Sequence, residues 1–165
     1  MKKSSVFILF CVCFMTFSSC KTTQKTNIEA TKEIPYFTFT TLDNHRFGKD
    51  DFDKTRTKMI LYFNSECEHC EKQGKWLSES IDSFNHLELT FVSFEEMDAI
   101  KSYRDKYNFN RDNITFLQDT RLTFSDKFGV GNFPSILLYT KKGKLIKKFE
   151  GETRVKDILP FIPRK

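Results

Sequence analysis

The residues of this chain best suited to chemistry are two cysteines in the segment Cys67-Glu68-His69-Cys70. Two thiols separated by two residues close into a disulfide and reopen, and such a pair exchanges its bond with another molecule by thiolate attack. The same spacing also supplies half of a structural zinc site, but zinc takes four ligands. The other cysteines, Cys11, Cys13 and Cys20, all lie at the N-terminus, and the other histidines, His45 and His86, stand alone. No second half is present, so neither a metal nor another cofactor is expected. Cys67 then serves as the nucleophile at the exposed lip, and Cys70, one turn further in, closes the disulfide and ejects the bound partner.

Such a pair needs a rigid mount. Met59-Ile60-Leu61-Tyr62-Phe63 is an unbroken apolar run, the pattern of a strand buried on both faces, and the residues after it have helical spacing. The dithiol therefore sits where a helix begins, and the unpaired N–H groups there favour a thiolate over a thiol. Glu66, Glu68 and His69 surround it as tuning residues: a protonated His69 favours the thiolate, and Glu68 opposes it.

The 165 residues, 39% of them hydrophobic, suffice for one domain with a real core. Nineteen phenylalanines against one tryptophan make that a Phe-rich core. The net charge is +5, yet its densest cluster, Lys141 to Lys148, is split by Gly143 between two apolar runs. That pattern is a solvated hairpin tip, and it argues against nucleic acid binding.

Lys2 and Lys3 precede an apolar run from Val6 to Phe17, and Ser18-Ser19-Cys20 follows. A basic start, a short apolar stretch and a small-residue cleavage site make an export signal, and the run is shorter than the roughly 20 residues of a membrane span. Phe17-Ser18-Ser19-Cys20 resembles a bacterial lipobox, which implies cleavage after residue 19 and acylation of Cys20. Cys67 and Cys70 are then the only free thiols of the mature protein. Residues 20–33 are polar and read as a flexible tether, leaving 34–165 as the folded domain.

Along that domain, Tyr36 to Thr40 and Leu42 to Phe47 read as a hairpin around Asp43-Asn44. A strand over Met59–Phe63, a helix from Cys67 to Phe84, a parallel strand over Leu87–Phe94, a helix from Met97 to Tyr107 and a strand over Ile114–Leu117 follow. A short helix from Leu122 to Phe128 ends at Gly129. Ser135–Thr140 and Leu145–Phe149 form a second hairpin, and Val155, Ile158 and Leu159 carry a last helix before Pro160. This order describes an α/β sandwich in three layers, with a mixed central sheet, helices on both faces and an N-terminal β-hairpin extension.

The chain from about Ile34 to Ile162 resembles the thioredoxin-like fold, and specifically the membrane-tethered TlpA/ResA-like thiol-disulfide oxidoreductases. The likeness rests on the N-terminal hairpin, the strand entering Cys67-Glu68-His69-Cys70, the stretch Lys127-Phe128-Gly129-Val130-Gly131-Asn132-Phe133-Pro134 and the closing hairpin. It implies a cis bond before Pro134, with Pro134 and Phe133 beside the disulfide to meet the substrate backbone. It also implies exported cysteine-containing proteins as substrates, apocytochrome c among them, a membrane thiol reductase upstream, and a lipid-anchored domain facing the periplasm.

Several positions depart from the family pattern. Glu66 stands where thioredoxins have tryptophan, and Gly74-Lys75 where they have a kinking proline. Leu61 and Gln73 occupy the two places where relatives carry an acid that assists the second cysteine, which leaves Glu68, Glu71, His69 or a water for that task. The proline and threonine that precede a peroxidatic cysteine are missing, as is the late histidine of copper-delivery relatives. Two readings stay open: an exchange enzyme acting mainly as a reductant, and a binding module whose cysteines form a structural disulfide with a potential below about −300 mV.

Overall fold

In a computed structural model that describes residues 32–163, the elements follow in the order β1 (Thr38–Thr41), β2 (Arg46–Gly48), β3 (Thr57–Tyr62), α1 (Glu68–Glu79), β4 (Leu87–Ser93), α2 (Met97–Lys106), β5 (Ile114–Gln118), α3 (Phe124–Phe128), β6 (Ser135–Tyr139), β7 (Leu145–Glu150) and α4 (Val155–Ile158). The export signal, Cys20 and most of the tether lie outside the described residues. At the domain entrance Lys32 O accepts a hydrogen bond from Leu145 N, and Glu33 bridges to Lys144. Among the described residues no helix is long and apolar enough to cross a membrane.

The strands form one seven-stranded sheet in the order β2-β1-β5-β4-β3-β6-β7. β3, β4 and β5 run parallel, joined by α1 and α2, while β1, β6 and β7 pair antiparallel to their neighbours. The fold is thus thioredoxin-like, with β1 and β2 as the N-terminal hairpin. Alternation along β3 makes the layers: Met59 and Leu61 pack with Leu77, Ile100, Tyr103 and Ile158 on one face, Ile60 and Tyr62 with Phe39, Phe124 and Phe128 on the other. β3 is buried along its whole length. Its end is therefore a fixed platform for the residues that follow.

Three helices differ from expectation. α1 stops at Glu79, because Ser80 leaves helical geometry (φ −125°, ψ 19°) and a 3-10 turn over Ile81–Phe84 continues the chain. The turn still buries Phe84, so apolar spacing alone does not separate the two conformations. α3 begins at Phe124 instead of Leu122. Asp119 accepts bonds from Phe124 N (2.7 Å), Thr123 Oγ1 (3.2 Å) and Arg121 N (3.3 Å), curling the chain so that Leu122 sits at φ 54° and 62% exposed. At the C-terminus, Pro160 falls inside a 3-10 turn over Leu159–Phe161, and Leu159 is 38% exposed, off the buried face.

Candidate active site

The loop between β3 and α1 is organised by Asn64. Its carbonyl accepts from Cys67 N (3.3 Å), its side-chain oxygen from Glu66 N (2.9 Å), and its own N–H points at Cys70 Sγ (3.4 Å). Cys67 is the N-cap residue of α1, with extended backbone (φ −87°, ψ 119°), and its carbonyl receives Glu71 N at 2.9 Å. Its thiol is part-exposed, whereas Cys70 is fully buried one turn further along. Both are free thiols, and Cys67 packs against the core cluster that contains Cys70, within hydrogen-bonding reach of it. Burial pushes the Cys70 thiol well up from its ordinary value. The Asn64 N–H works against that rise, while Cys67 and Glu95 add to it.

α1 is held against α2 at this turn. Tyr103 Oη donates to Cys70 O at 2.8 Å, and Gly74 leaves room for Tyr103 and Tyr107, whose atoms a Cβ at that position would strike. Gly74 thus marks a close approach of α1 to α2 and its C-cap residue Tyr107. Gln73 is also fully buried and spends its amide on the chain beyond β7, accepting from Thr153 N (2.7 Å) and donating to Thr153 O (3.1 Å).

A cleft of about 550 Å³ opens beside Cys67, lined by His69, Asn132, Phe133, Glu150, Gly151 and Glu152. The Phe133–Pro134 peptide is cis, as the resemblance implies. Pro134 O receives Gly151 N (2.8 Å), which ties this rim to the end of β7, and Asn132 O receives Ser135 Oγ (2.7 Å) within the rim itself. Phe133 rests on Tyr62 (ring centroids 4.6 Å apart) and Phe94 (5.7 Å), an apolar shelf next to the nucleophile.

The charged neighbours point elsewhere. Glu68 pairs with Lys72 (2.8 Å), which holds its carboxyl below the usual range, Glu71 pairs with Lys106, and His69 Nδ1 lies 2.7 Å from Glu152. Glu66 is exposed on the loop. None of these partners is Cys70. An acid whose charge does reach it is Glu95, just past β4, which sequence reasoning passed over. One signal was available: parallel strands end side by side, and the register Tyr62 to Val92 puts residues just after β4 beside the Asn64-Ser65 loop.

The sequence profile of the AhpC/TSA family matches residues 30–148. The chain is 23% identical over 145 residues to the thiol-disulfide oxidoreductase ResA of Bacillus thuringiensis subsp. konkukian, covering 86% of this chain and 82% of that one. Its fold is similar to that of a thiol-disulfide oxidoreductase from Bacteroides fragilis, with a TM-score of 0.66 at 12% identity, covering 78% and 96% of the two chains. It is similar too to an exposed lipoprotein thioredoxin of Streptococcus pneumoniae, with a TM-score of 0.58 at 18% identity and coverage of 76% and 96%. With most of its length inside the profile, and with the strand, dithiol and cis-proline loop described above, the chain belongs to the AhpC/TSA family.

Proposed function

We infer that this protein is a thiol-disulfide oxidoreductase that works through Cys67 and Cys70 and donates electrons to exported proteins. The observation that carries this reading is the asymmetry of the pair: a reachable Cys67 at a helix N-terminus, backed by a fully buried Cys70. In the forward reaction the Cys67 thiolate attacks a substrate disulfide, one substrate thiolate leaves, and a mixed disulfide forms. Cys70, deprotonated, then attacks Cys67 Sγ; the second substrate thiolate leaves and the Cys67–Cys70 bond closes. Two electrons have passed to the substrate. The Phe133 shelf and the adjoining rim hold the substrate chain during both steps.

Burial bears on direction. A thiol that resists ionisation is a poor leaving group, so a disulfide containing Cys70 is hard to reopen and the reduced protein is the better donor. We place its potential near the roughly −270 mV of thioredoxin, away from the roughly −120 mV of DsbA. Acylation at Cys20 would leave the domain on a tether of about a dozen residues, with a reach of roughly 40 Å. Its substrates are cysteine-containing proteins of the cell envelope, apocytochrome c among the candidates, and a membrane thiol reductase recharges it.

Equilibration against glutathione mixtures tests the assignment. A potential between about −280 and −200 mV supports exchange, whereas one below about −300 mV supports a structural disulfide in a binding module. Labelling with a palmitate analogue, present on the wild type and lost in Cys20→Ala, tests the anchor.

A further inference from the structure

Glu95 lies in the short link between β4 and α2, and its carboxylate collects three donors. Ser65 N reaches Oε2 at 2.7 Å, Ser65 Oγ reaches Oε1 at 2.6 Å, and Ser93 Oγ reaches Oε2 at 2.8 Å. Its backbone is fixed as well, with Glu95 N donating to Ser93 Oγ (3.2 Å) and Gln118 Nε2 donating to Glu95 O (2.9 Å). Ser65 directly follows Asn64, whose N–H is aimed at Cys70 Sγ. All three donors to the carboxylate are neutral, so dipoles hold its charge in place without cancelling it.

We propose that Glu95 is a positioning residue of the dithiol: it clamps the Asn64-Ser65 turn against Cys70 and fixes a negative charge on that turn, and so governs how fast Cys70 resolves a mixed disulfide. The proposal rests on the exchange reading above. Around Cys70 also stand Cys67 at the N-cap of α1, Tyr103 from α2 and Tyr107 at the C-cap of α2, both tyrosines with their hydroxyls pushed further from ionisation by burial, while Glu71, next along α1, is paired with Lys106. Glu95 is thus a carboxylate that acts on Cys70 from outside its own helix. Its charge opposes the Cys70 thiolate, while the Asn64 N–H that it steadies supports that thiolate. The two actions are separable by substitution.

The test uses the full chain with Cys11, Cys13 and Cys20 changed to Ser, reduced and mixed with one equivalent of 5,5′-dithiobis(2-nitrobenzoic acid). Cys67 attacks the aromatic disulfide and releases one coloured thiolate. Cys70 then gives its proton to solvent and attacks Cys67 Sγ, the Cys67–aryl bond breaks, and the second coloured thiolate leaves as the protein disulfide forms. The second phase reads Cys70 alone. In Glu95→Gln, which drops the charge but keeps an acceptor oxygen, the pH midpoint of that phase is expected to fall by half a unit or more. That is about a threefold gain in rate below the midpoint, since one unit is a factor of ten in thiolate. Glu95→Asp, retaining the charge, is expected to restore most of the wild-type midpoint. Ser65→Ala, which removes one donor and loosens the turn, is expected to slow the second phase twofold or more, with the first phase changed less than twofold in every variant. An unmoved second phase in Glu95→Gln, or Glu95→Gln and Ser65→Ala shifting both phases in the same direction, would overturn the proposal. Absence of a first phase in the wild type would overturn the exchange reading on which it rests.

Discussion

Replacing Gly74 with alanine adds one methyl group to the interior of α1, and two effects of opposite sign follow. Alanine favours a helix over glycine by about 1 kcal/mol, so on an exposed face the change would stabilise. Here the new Cβ would come within 3.0 Å of Tyr103 Oη and stand 2.8 and 2.9 Å from two ring carbons of Tyr107. Tyr103 has little freedom to retreat, being 2% exposed and bonded to Cys70 O. Overpacking a filled interior costs about 1–3 kcal/mol, and loss of the Tyr103 bond adds about 1 kcal/mol. The clash therefore wins, with a net loss near 2 kcal/mol, or roughly 6–10 °C in Tm for a domain of this size. Urea unfolding followed by fluorescence of Trp76, the single tryptophan, measures it on the reduced protein. In Gly74→Ala with Tyr103→Phe, the nearest obstructing atom is gone, and the double variant should lose at least about 1 kcal/mol less than the sum of the singles. A Gly74→Ala protein as stable as its parent would refute the packing argument.

Three further outcomes follow from the same structure. Glu88 is pushed up to about 7, chiefly by burial, so the folded chain holds a proton that the unfolded chain releases nearer 4.5; stability is expected to fall as pH rises through that window. Glu88→Gln should flatten the slope and be more stable than the parent at pH 8, as read by denaturation at several pH values. Gln73→Leu strands the Thr153 N–H and C=O, for a loss of about 1–3 kcal/mol, and should speed hydrogen exchange at the Thr153 amide. Phe133→Ala should raise KM for a peptide disulfide several-fold while leaving reduction of a small aromatic disulfide near the parent rate, because the shelf meets the chain and not the sulfur.

The parts of the fold carried by local pattern were legible. Met59–Phe63 reads as a buried strand because every residue in it is apolar, and Asp43-Asn44 and the Lys-rich segment around Gly143 read as turns because each breaks two strand-like runs with polar residues; Asn44 and Gly143 do adopt positive φ. Helix ends were less legible. Ser80 ends α1 without a breaker residue, and the start of α3 is set by Asp119, a capping acid five residues before the Phe124 N–H it binds. The dithiol was legible because its two sulfurs are neighbours in sequence. Its supports were not: Glu95 reaches Ser65 across 30 residues and Gln73 reaches Thr153 across 80, and periodicity carries no signal for a polar contact between elements.

If Cys67 attacks and Cys70 resolves, a protein without Cys70 is left bonded to its substrate through Cys67. In cells carrying Cys70→Ala at native level, with thiols quenched by acid, non-reducing gels should show complexes with envelope proteins that collapse on adding reductant. Each should contain the peptide bearing Cys67. Cys67→Ala and the double variant should show none, and the parent only traces, because Cys70 discharges the intermediate. No complexes with Cys70→Ala, or equal complexes with Cys67→Ala, would show that Cys67 is not the attacking thiol of an exchange reaction.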